Sequence, residues 1–379
     1  MEKMVLAMDS LLQNLKNNIL IENRFDIRGL SYDKMCSYME ALGEKKFRAT
    51  QLFSWLHQKK TDDFSKMSNI PASLIEKITK DSDIYSVEIE DKLVSEIDGT
   101  RKYLHRLSDG NIIETVLLKY EYGNTVCISS QVGCRMGCRF CASTLDGLCR
   151  NLTAGEMAGQ VYSVEKDIGE RVGHIVVMGS GEPLDNYDNF VDFLRIITDE
   201  KGANISARSI TASTCGIVPQ IYRLADEKIP ITLALSLHAV TDEKRREIMP
   251  IANKYSLNEI FDACTRYFEL TGRRITCEYS LISGQNDTDE DAAGLIRIAG
   301  RLKCHINLIP VNPIKERSYR ATAPKNVVAL KNKLEKNRIN VTIRREMGRD
   351  INGACGQLRR SYIHSDDKSP NKDLGEGNA

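Results

Sequence analysis

Between Thr125 and Val311 the chain alternates short apolar runs with longer amphipathic ones, and this alternation restricts the fold more than any other feature. TVCIS, HIVVMG, RSITAST, ITLALSL, RITCEYSLI and HINLIPV have the length and composition of strands. Helical periodicity lies between them, over Thr153–Asp167, Tyr187–Thr198, Val218–Asp226, Ser256–Leu270 and Thr288–Leu302. Thr153 and Glu156 have the spacing of a capping box for the first helix. Six strands joined by five crossing helices require parallel βαβ units in series, as an α/β barrel or an open doubly wound sheet. A further helix near Pro324–Asn337 and the strand NVTIR follow.

The pattern differs ahead of this region. VEIEDKLVSEI, TRKYLHRL, NIIETVLLKY and NTVCISSQ read as strands, with hairpin turns at Asp98-Gly99 and Asp109-Gly110. Before this meander, SYDKMCSYMEAL and KKFRATQLFSWLHQK read as two amphipathic helices, and Pro71 opens a third. Lys45, Lys46, Arg48, His57, Lys59 and Lys60 stand near Phe47, Phe53 and Trp55. That mixture suits RNA, and it equally suits a plain helical packing unit. The tail from His364 is polar and reads as disordered.

Lys and Arg total 53 against 52 Asp and Glu, which argues against a sequence-blind polyanion binder but leaves room for a local basic patch. No apolar run approaches the roughly 20 residues of a membrane span, and the start of the chain lacks the apolar core of a signal peptide. The expected setting is a reducing cytoplasm, where clustered cysteines more often hold metal or perform catalysis than form disulfides.

Three of the eleven cysteines, Cys134, Cys138 and Cys141, fall within eight residues of GCRMGCRFCAST, just past the first strand of the βα series. In βα barrels that end of the strands is the catalytic face. C-x3-C-x2-C can bind three irons of a 4Fe–4S cluster and leave the fourth open to a small molecule. The alternative is a three-cysteine zinc site completed by Cys149 or a histidine. Other strand ends carry polar groups: MGSGEPL with Glu182, AST with Ser213, SLH over Ser236–His238, and PVNP with Asn312. Cys355 lies in NGACGQLRR, among Arg344, Arg345, Arg349, Arg359 and Arg360, a field that favours a thiolate and attracts phosphate.

The C-x3-C-x2-C motif with Phe140 before its third cysteine resembles the radical-SAM superfamily. The longer ordered matches, LGEKKFRATQLFSWLHQK, IETVLLKY, TVCISSQVGCRMGCRFCAST, LDGLCRNLTAGEM, MGSGEPLDN and RREMGRDINGACGQLR, resemble the RlmN/Cfr family of radical-SAM RNA adenine methyltransferases. Pro183 in GEPL is similar to the RlmN branch.

The resemblance implies a partial (β/α)6 barrel, with an N-terminal helical RNA-recruiting domain over residues 1–95, a catalytic core with β extension over 96–363, and a tail over 364–379. It implies one 4Fe–4S cluster on Cys134, Cys138 and Cys141, and two S-adenosylmethionine molecules per turnover. Gly181, Glu182, Ser213, Ser236, Leu237, His238 and Asn312 correspond to family cofactor contacts. Adenine C2 is an electron-poor carbon that does not attack a sulfonium methyl, whereas a thiolate does. The family chemistry therefore has Cys355 take a methyl group first. The methyl carbon then bonds to C2 as a radical, and Cys127 resolves the covalent RNA adduct, leaving a Cys127–Cys355 disulfide for an external electron donor to reduce. Glu114 matches a family proton acceptor, although alternation within IIETVLL also allows it to face solvent. The implied substrates are 23S ribosomal RNA and, in some relatives, transfer RNA, with no membrane or DNA partner. Ser180 stands where methionine is common, and Cys149 and Cys215 are extra thiols. The rival readings are attack at adenine C8, a peptide substrate, or a non-enzymatic RNA binder with structural zinc.

Overall fold

The computed structural model describes residue 21, residues 23–312 and residues 316–351. Its N-terminal part comprises β1 (Phe25–Asp26), helices α1 (Tyr32–Ala41), α2 (Lys46–His57) and α3 (Ala72–Ile78), and β2 (Ser82–Asp83), which pairs parallel with β1. Four antiparallel strands follow: β3 (Val87–Val94), β4 (Arg101–Leu107), β5 (Ile112–Tyr120) and β6 (Gly123–Ile128). Gly99 and Gly110 turn the first two hairpins at φ of 71° and 81°, a conformation open to a residue without Cβ.

Next comes a short antiparallel ribbon of β7 (Gln131–Gly133) and β8 (Leu148–Asn151), then helix α4 (Ala154–Ile168). Strand β9 (Val172–Val177) pairs parallel with β6, and a sequential parallel series continues through β10 (Ile210–Thr214), β11 (Thr232–Ser236), β12 (Thr276–Leu281), β13 (His305–Pro310) and β14 (Val341–Ile343). Between them run α5 (Tyr187–Thr198), α6 (Val218–Asp226), α7 (Asp242–Ile248), α8 (Leu257–Thr271), α9 (Asp289–Leu302) and α10 (Pro324–Lys336). Crossovers of one hand put the helices on one face of the sheet. Leu233, Leu235, Cys277, Tyr279, Ile306 and Leu308 pack into the core on that face. Most of their neighbours on the opposite face are polar, among them Thr276, Glu278, Ser280 and Asn307, and Asn307 donates to Glu278 across β13 and β12 at 2.9 Å. A sequential parallel sheet with a polar concave face is the open α/β barrel the resemblance implies, extended by the antiparallel meander into one ten-stranded sheet.

The capping box forms as expected: Thr153 accepts from the Glu156 amide, and the Glu156 carboxylate accepts from the Thr153 amide. The N-terminal helices pack onto α4 and share its core. Tyr162 meets His57 Nδ1 at 3.0 Å, and Thr153 donates to Asp26 Oδ2 at 2.6 Å. This corrects part of the RNA-suited cluster. Phe53 is fully buried against Tyr32 and His57, His57 is fully buried against Tyr162, and Lys60 pairs with Glu165 of α4. Exposed Phe47 carries Arg48 at 4.7 Å, and Lys59 lies 3.3 Å above the Trp55 ring centroid.

Candidate active site at the carboxyl ends of the strands

Residues 179–185, GSGEPLD, leave β9 and lie along residues 128–133, ISSQVG, which leave β6. The Ser130 and Gln131 amides donate to the Ser180 carbonyl at 2.9 and 3.1 Å, and the Glu182 amide donates to Gln131 Oε1 at 2.9 Å. Two glycines permit this approach. A Cβ on Gly179 would lie 2.7 Å from the Ile128 oxygen, and one on Gly181, where φ is +108°, would lie 2.6 Å from Gln131 Cβ. Below Gln131, Asp185 accepts a bidentate pair from Arg135 at 2.9 and 2.6 Å. The strand end bearing Glu182 is thus joined directly to the stem of the cysteine loop. Glu182 itself is buried, and its oxygens accept from the Leu184 and Cys215 amides at 3.1 and 2.7 Å. Burial raises its pKa, while these donors oppose the rise.

In the cysteine loop, burial pushes the Cys134 thiol up to about 12, with the charges of Cys141 and Glu182 adding to it. Burial also raises Cys138 and Cys141, and Cys138 feels both of its partner thiols. Among the described residues no three His, Cys, Asp or Glu side chains stand at metal-holding separation. Phe140, Met136 and Cys138 pack against Cys215, Ala239, Ile248, Met249, Ile282 and Val311, an apolar wall formed largely by the segments that follow β10 to β13. The Phe140 ring meets His238 edge-on at 4.7 Å.

Sequence reasoning missed two residues that organise these strand ends. Arg245 of α7 is fully buried and donates to the carbonyls of Cys215, Ser236 and Leu237 at 2.7, 3.1 and 3.2 Å. Its Nη1 is buried without a partner among the described residues, and its charge acts on Cys138. Asn286 donates to the His238 and Ser280 carbonyls, both at 2.7 Å, and accepts from the Ile282 amide at 2.8 Å. The only sequence signals were an arginine in a polar run, RREIMP, and an asparagine in a turn.

His238 is buried at φ +56°, and its Nδ1 accepts from the Ser280 amide at 2.9 Å. Burial, then Arg245, lowers it to about 3, so the ring is neutral and Nε2 carries the hydrogen. Leu237 is buried, Ser213 and Ser236 are half-buried on the same rim, and Asn312 is exposed beyond β13.

Cys127 lies on β6, the strand where the antiparallel and parallel halves meet. Burial raises its pKa, Arg344 opposes the shift, and Glu114 and Lys102 also act on it. Glu114 does not face solvent: it is 2% exposed and pairs at 3.5 Å with Lys102, whose side chain is fully buried. Both faces of β5 are covered at this point, so alternation could not indicate exposure. Arg344 also acts on Glu278, so one guanidinium stands near both Cys127 and the Glu278 carboxylate.

Cys355 lies outside the described residues. The segment leading towards it is tied to the first hairpin. Asp350 accepts from Ser95 Oγ at 2.6 Å and from the Glu96 amide at 2.9 Å, while the Gly348 amide donates to Asp98 at 3.0 Å.

The site's chemistry suits a cluster and its sulfonium cofactor. It offers three thiols in one loop, an apolar shield over one side, and a buried guanidinium nitrogen without a partner beside them. No described helix is long and apolar enough to cross a membrane.

Comparison with known proteins agrees with this arrangement. Residues 25–84 match the ribosomal RNA large subunit methyltransferase N-terminal domain, and residues 128–296 match the radical SAM superfamily. The probable dual-specificity RNA methyltransferase RlmN of Lachnospira eligens is 58% identical over 91% of this chain and 98% of its own. Its namesake in Clostridium perfringens is 54% identical over 90% of this chain and 98% of its own. The crystal structure of a radical SAM methyltransferase from Sphaerobacter thermophilus aligns at TM-score 0.81 and 39% identity, over 88% of this chain and 98% of that one. A radical-SAM barrel, the N-terminal domain of ribosomal RNA methyltransferases and this identity over nine-tenths of the chain together place the protein in the RlmN family of radical-SAM RNA methyltransferases.

Proposed function

We propose that this enzyme methylates C2 of adenine in 23S ribosomal RNA, and in transfer RNA as a second substrate, through a methylated Cys355. The observation that carries this reading is the direct seating of the Glu182 strand end on the stem of the cysteine loop, with Cys127 on the strand from which that stem leaves.

Cys134, Cys138 and Cys141 would hold one 4Fe–4S cluster, and Gly181, Glu182, Ser213, Ser236, Leu237, His238 and Asn312 would hold S-adenosylmethionine. When bound, the reduced cluster and S-adenosylmethionine together supply an adenosyl radical that removes hydrogen from a methyl group. The remaining work belongs to the chain. Glu182 offers carboxylate oxygens to an ammonium group, and neutral His238 offers an Nε2–H donor. Phe140 and the apolar wall exclude water. Cys355 takes a methyl by displacement in the basic segment around it, and Cys127 resolves the RNA adduct as the Cys127–Cys355 disulfide, which an external donor reduces. Glu114, held beside Lys102, is the proton acceptor. Two S-adenosylmethionine molecules are used per turnover, one as methyl donor. Residues 1–95 would recruit RNA, with exposed Phe47 and Lys59–Trp55 as contacts, and residues 96–363 would form the catalytic core.

The test is anaerobic turnover with a 23S ribosomal RNA fragment and with transfer RNA, followed by identification of the modified base. The expected product is 2-methyladenosine, and Cys127→Ala should leave RNA covalently attached to the protein. Normal turnover by Cys127→Ala, or methylation at C8, would overturn the reading.

A further inference from the structure

The strands of the barrel begin, at the end opposite the candidate active site, around a cavity of about 410 Å3 lined by Thr232, Arg273, Arg274, Thr276, His305 and Asn340. Thr232 and Ser236 stand at the two ends of β11, roughly 13 Å apart along an extended strand. The cavity is therefore separate from the strand-end rim described above.

Its lining is cationic. Two guanidiniums stand there, and among the described residues no carboxylate lines the space. Arg273 is fixed by the backbone and a hydroxyl: its Nη2 donates to Thr232 Oγ1 at 2.6 Å and reaches the Arg208 carbonyl at 3.4 Å. Its Nε is buried and has no partner among the described residues. Arg274 is exposed and makes no hydrogen bond or ion pair among the described residues. His305 is held between Asn340 Oδ1 and Thr342 Oγ1, both at 2.9 Å, and Thr342 in turn donates to Asn307 at 3.0 Å. Thr276 adds a hydroxyl to the same wall. Adjacent cationic groups repel one another, and a buried guanidinium nitrogen without an acceptor is costly. An oxyanion would relieve both penalties, and the planar guanidinium fork matches phosphate oxygens in geometry.

We propose that this cavity is a phosphate-binding site, with Arg273 and Arg274 as its principal ligands and Thr276 as a supporting donor. Free phosphate and the RNA backbone carry the same group, and two arms of one experiment separate these sources. In the first, inorganic phosphate is titrated into the full chain and followed by phosphorus NMR line broadening. In the second, binding of a 23S ribosomal RNA fragment is followed by fluorescence anisotropy across a salt series.

Arg274→Gln is the primary variant because its side chain is exposed, and Arg273→Lys is the second because it keeps the charge while losing the fork. Retained S-adenosylmethionine affinity in both variants shows that the other end of the barrel is intact. A roughly tenfold weaker phosphate titration in Arg274→Gln supports the site with free phosphate as ligand. An unchanged phosphate titration, with the slope of log affinity against log salt for RNA reduced by about one, supports it with an RNA phosphate as ligand. If both variants leave the phosphate titration and the RNA salt slope at wild-type values, the proposal is wrong. These arms do not depend on methyl transfer, so failure of the reaction proposed above would leave them readable.

Discussion

The two halves of the ten-stranded sheet use their buried polar groups differently. In the parallel half, the polar side chains at the strand ends mostly hold backbone: Asn286 joins the β11 and β12 ends, Arg245 holds carbonyls after β10 and β11, and Glu182 caps amides from two segments. In the antiparallel half, Lys102 and Glu114 form a buried ion pair between adjacent strands, near Cys127. The first half fixes positions; the second places charge. Cys127 lies on β6, the strand shared by both, so the thiol assigned to resolve the adduct combines a rigid backbone with nearby ionic groups.

The contrast breaks most sharply at Lys102. Lys102→Met removes the ammonium that faces the buried Glu114 carboxylate, which should cost about 3–5 kcal/mol in chemical denaturation. Adding Glu114→Gln should recover a large part of that loss, because both charges of the pair are then removed. A single variant as stable as wild type would show that the pair is not an ionic element of the meander.

Gly181→Ala probes the parallel half. The new Cβ meets Gln131 and Ser130 atoms at 2.6 to 2.8 Å and forces a non-glycine residue to φ +108°. The expected cost is about 1–3 kcal/mol, with weaker S-adenosylmethionine binding in calorimetry. Unchanged affinity would separate the GSGE seat from the cofactor site.

Acid sharpens the comparison at one histidine in each half. Burial lowers His105 and His238 to about 3 from 6.5, opposed by Asp167 at His105 and reinforced by Arg245 at His238. Between pH 6.5 and 3 the unfolded chain binds protons that the folded chain refuses. Their stabilising contribution is therefore complete above about 6.5 and is lost progressively as pH falls. Each imidazole should lower stability by roughly 2 kcal/mol at pH 5 relative to pH 7.5. Asp26, raised by burial to about 6, acts in the opposite sense between 3.8 and 6 and offsets part of the total. The difference in pH slope between wild type and His105→Gln, or His238→Gln, isolates each group. A variant with an unchanged slope would contradict the burial argument for that site.

Local physics made much of this molecule readable from its sequence. The helix expected over Tyr187–Thr198 forms with those bounds, and the Thr153 box closes as its spacing requires. The Asp-Gly turns, the parallel series and the cysteine loop depend on chemistry within a few residues. The residues misread depend on distant partners. Glu114 lies in a strand covered on both faces, where a period of two carries no information about solvent. Phe53 and His57 have the composition of an RNA contact, but Tyr32 packs on the first and Tyr162 of α4 on the second, and both are fully buried. Helix α7 is seven residues long and largely charged, so it lacks the apolar stripe that marked the others. Arg245 is buried only because three strand-end carbonyls converge on it, a fact of tertiary structure. Cys355 was identified through motif resemblance and lies beyond the last described residue.

The identity of the modified base is read by nucleoside chromatography with mass spectrometry on RNA from cells with and without this gene. Ribosomal and transfer RNA are separated before digestion, with standards resolving 2-methyladenosine from 8-methyladenosine. Deletion of the gene is expected to remove 2-methyladenosine from ribosomal RNA, with restoration by the wild-type gene but not by Cys355→Ala. An unchanged 2-methyladenosine level in both RNA classes, in cells with no second enzyme of this kind, would contradict it.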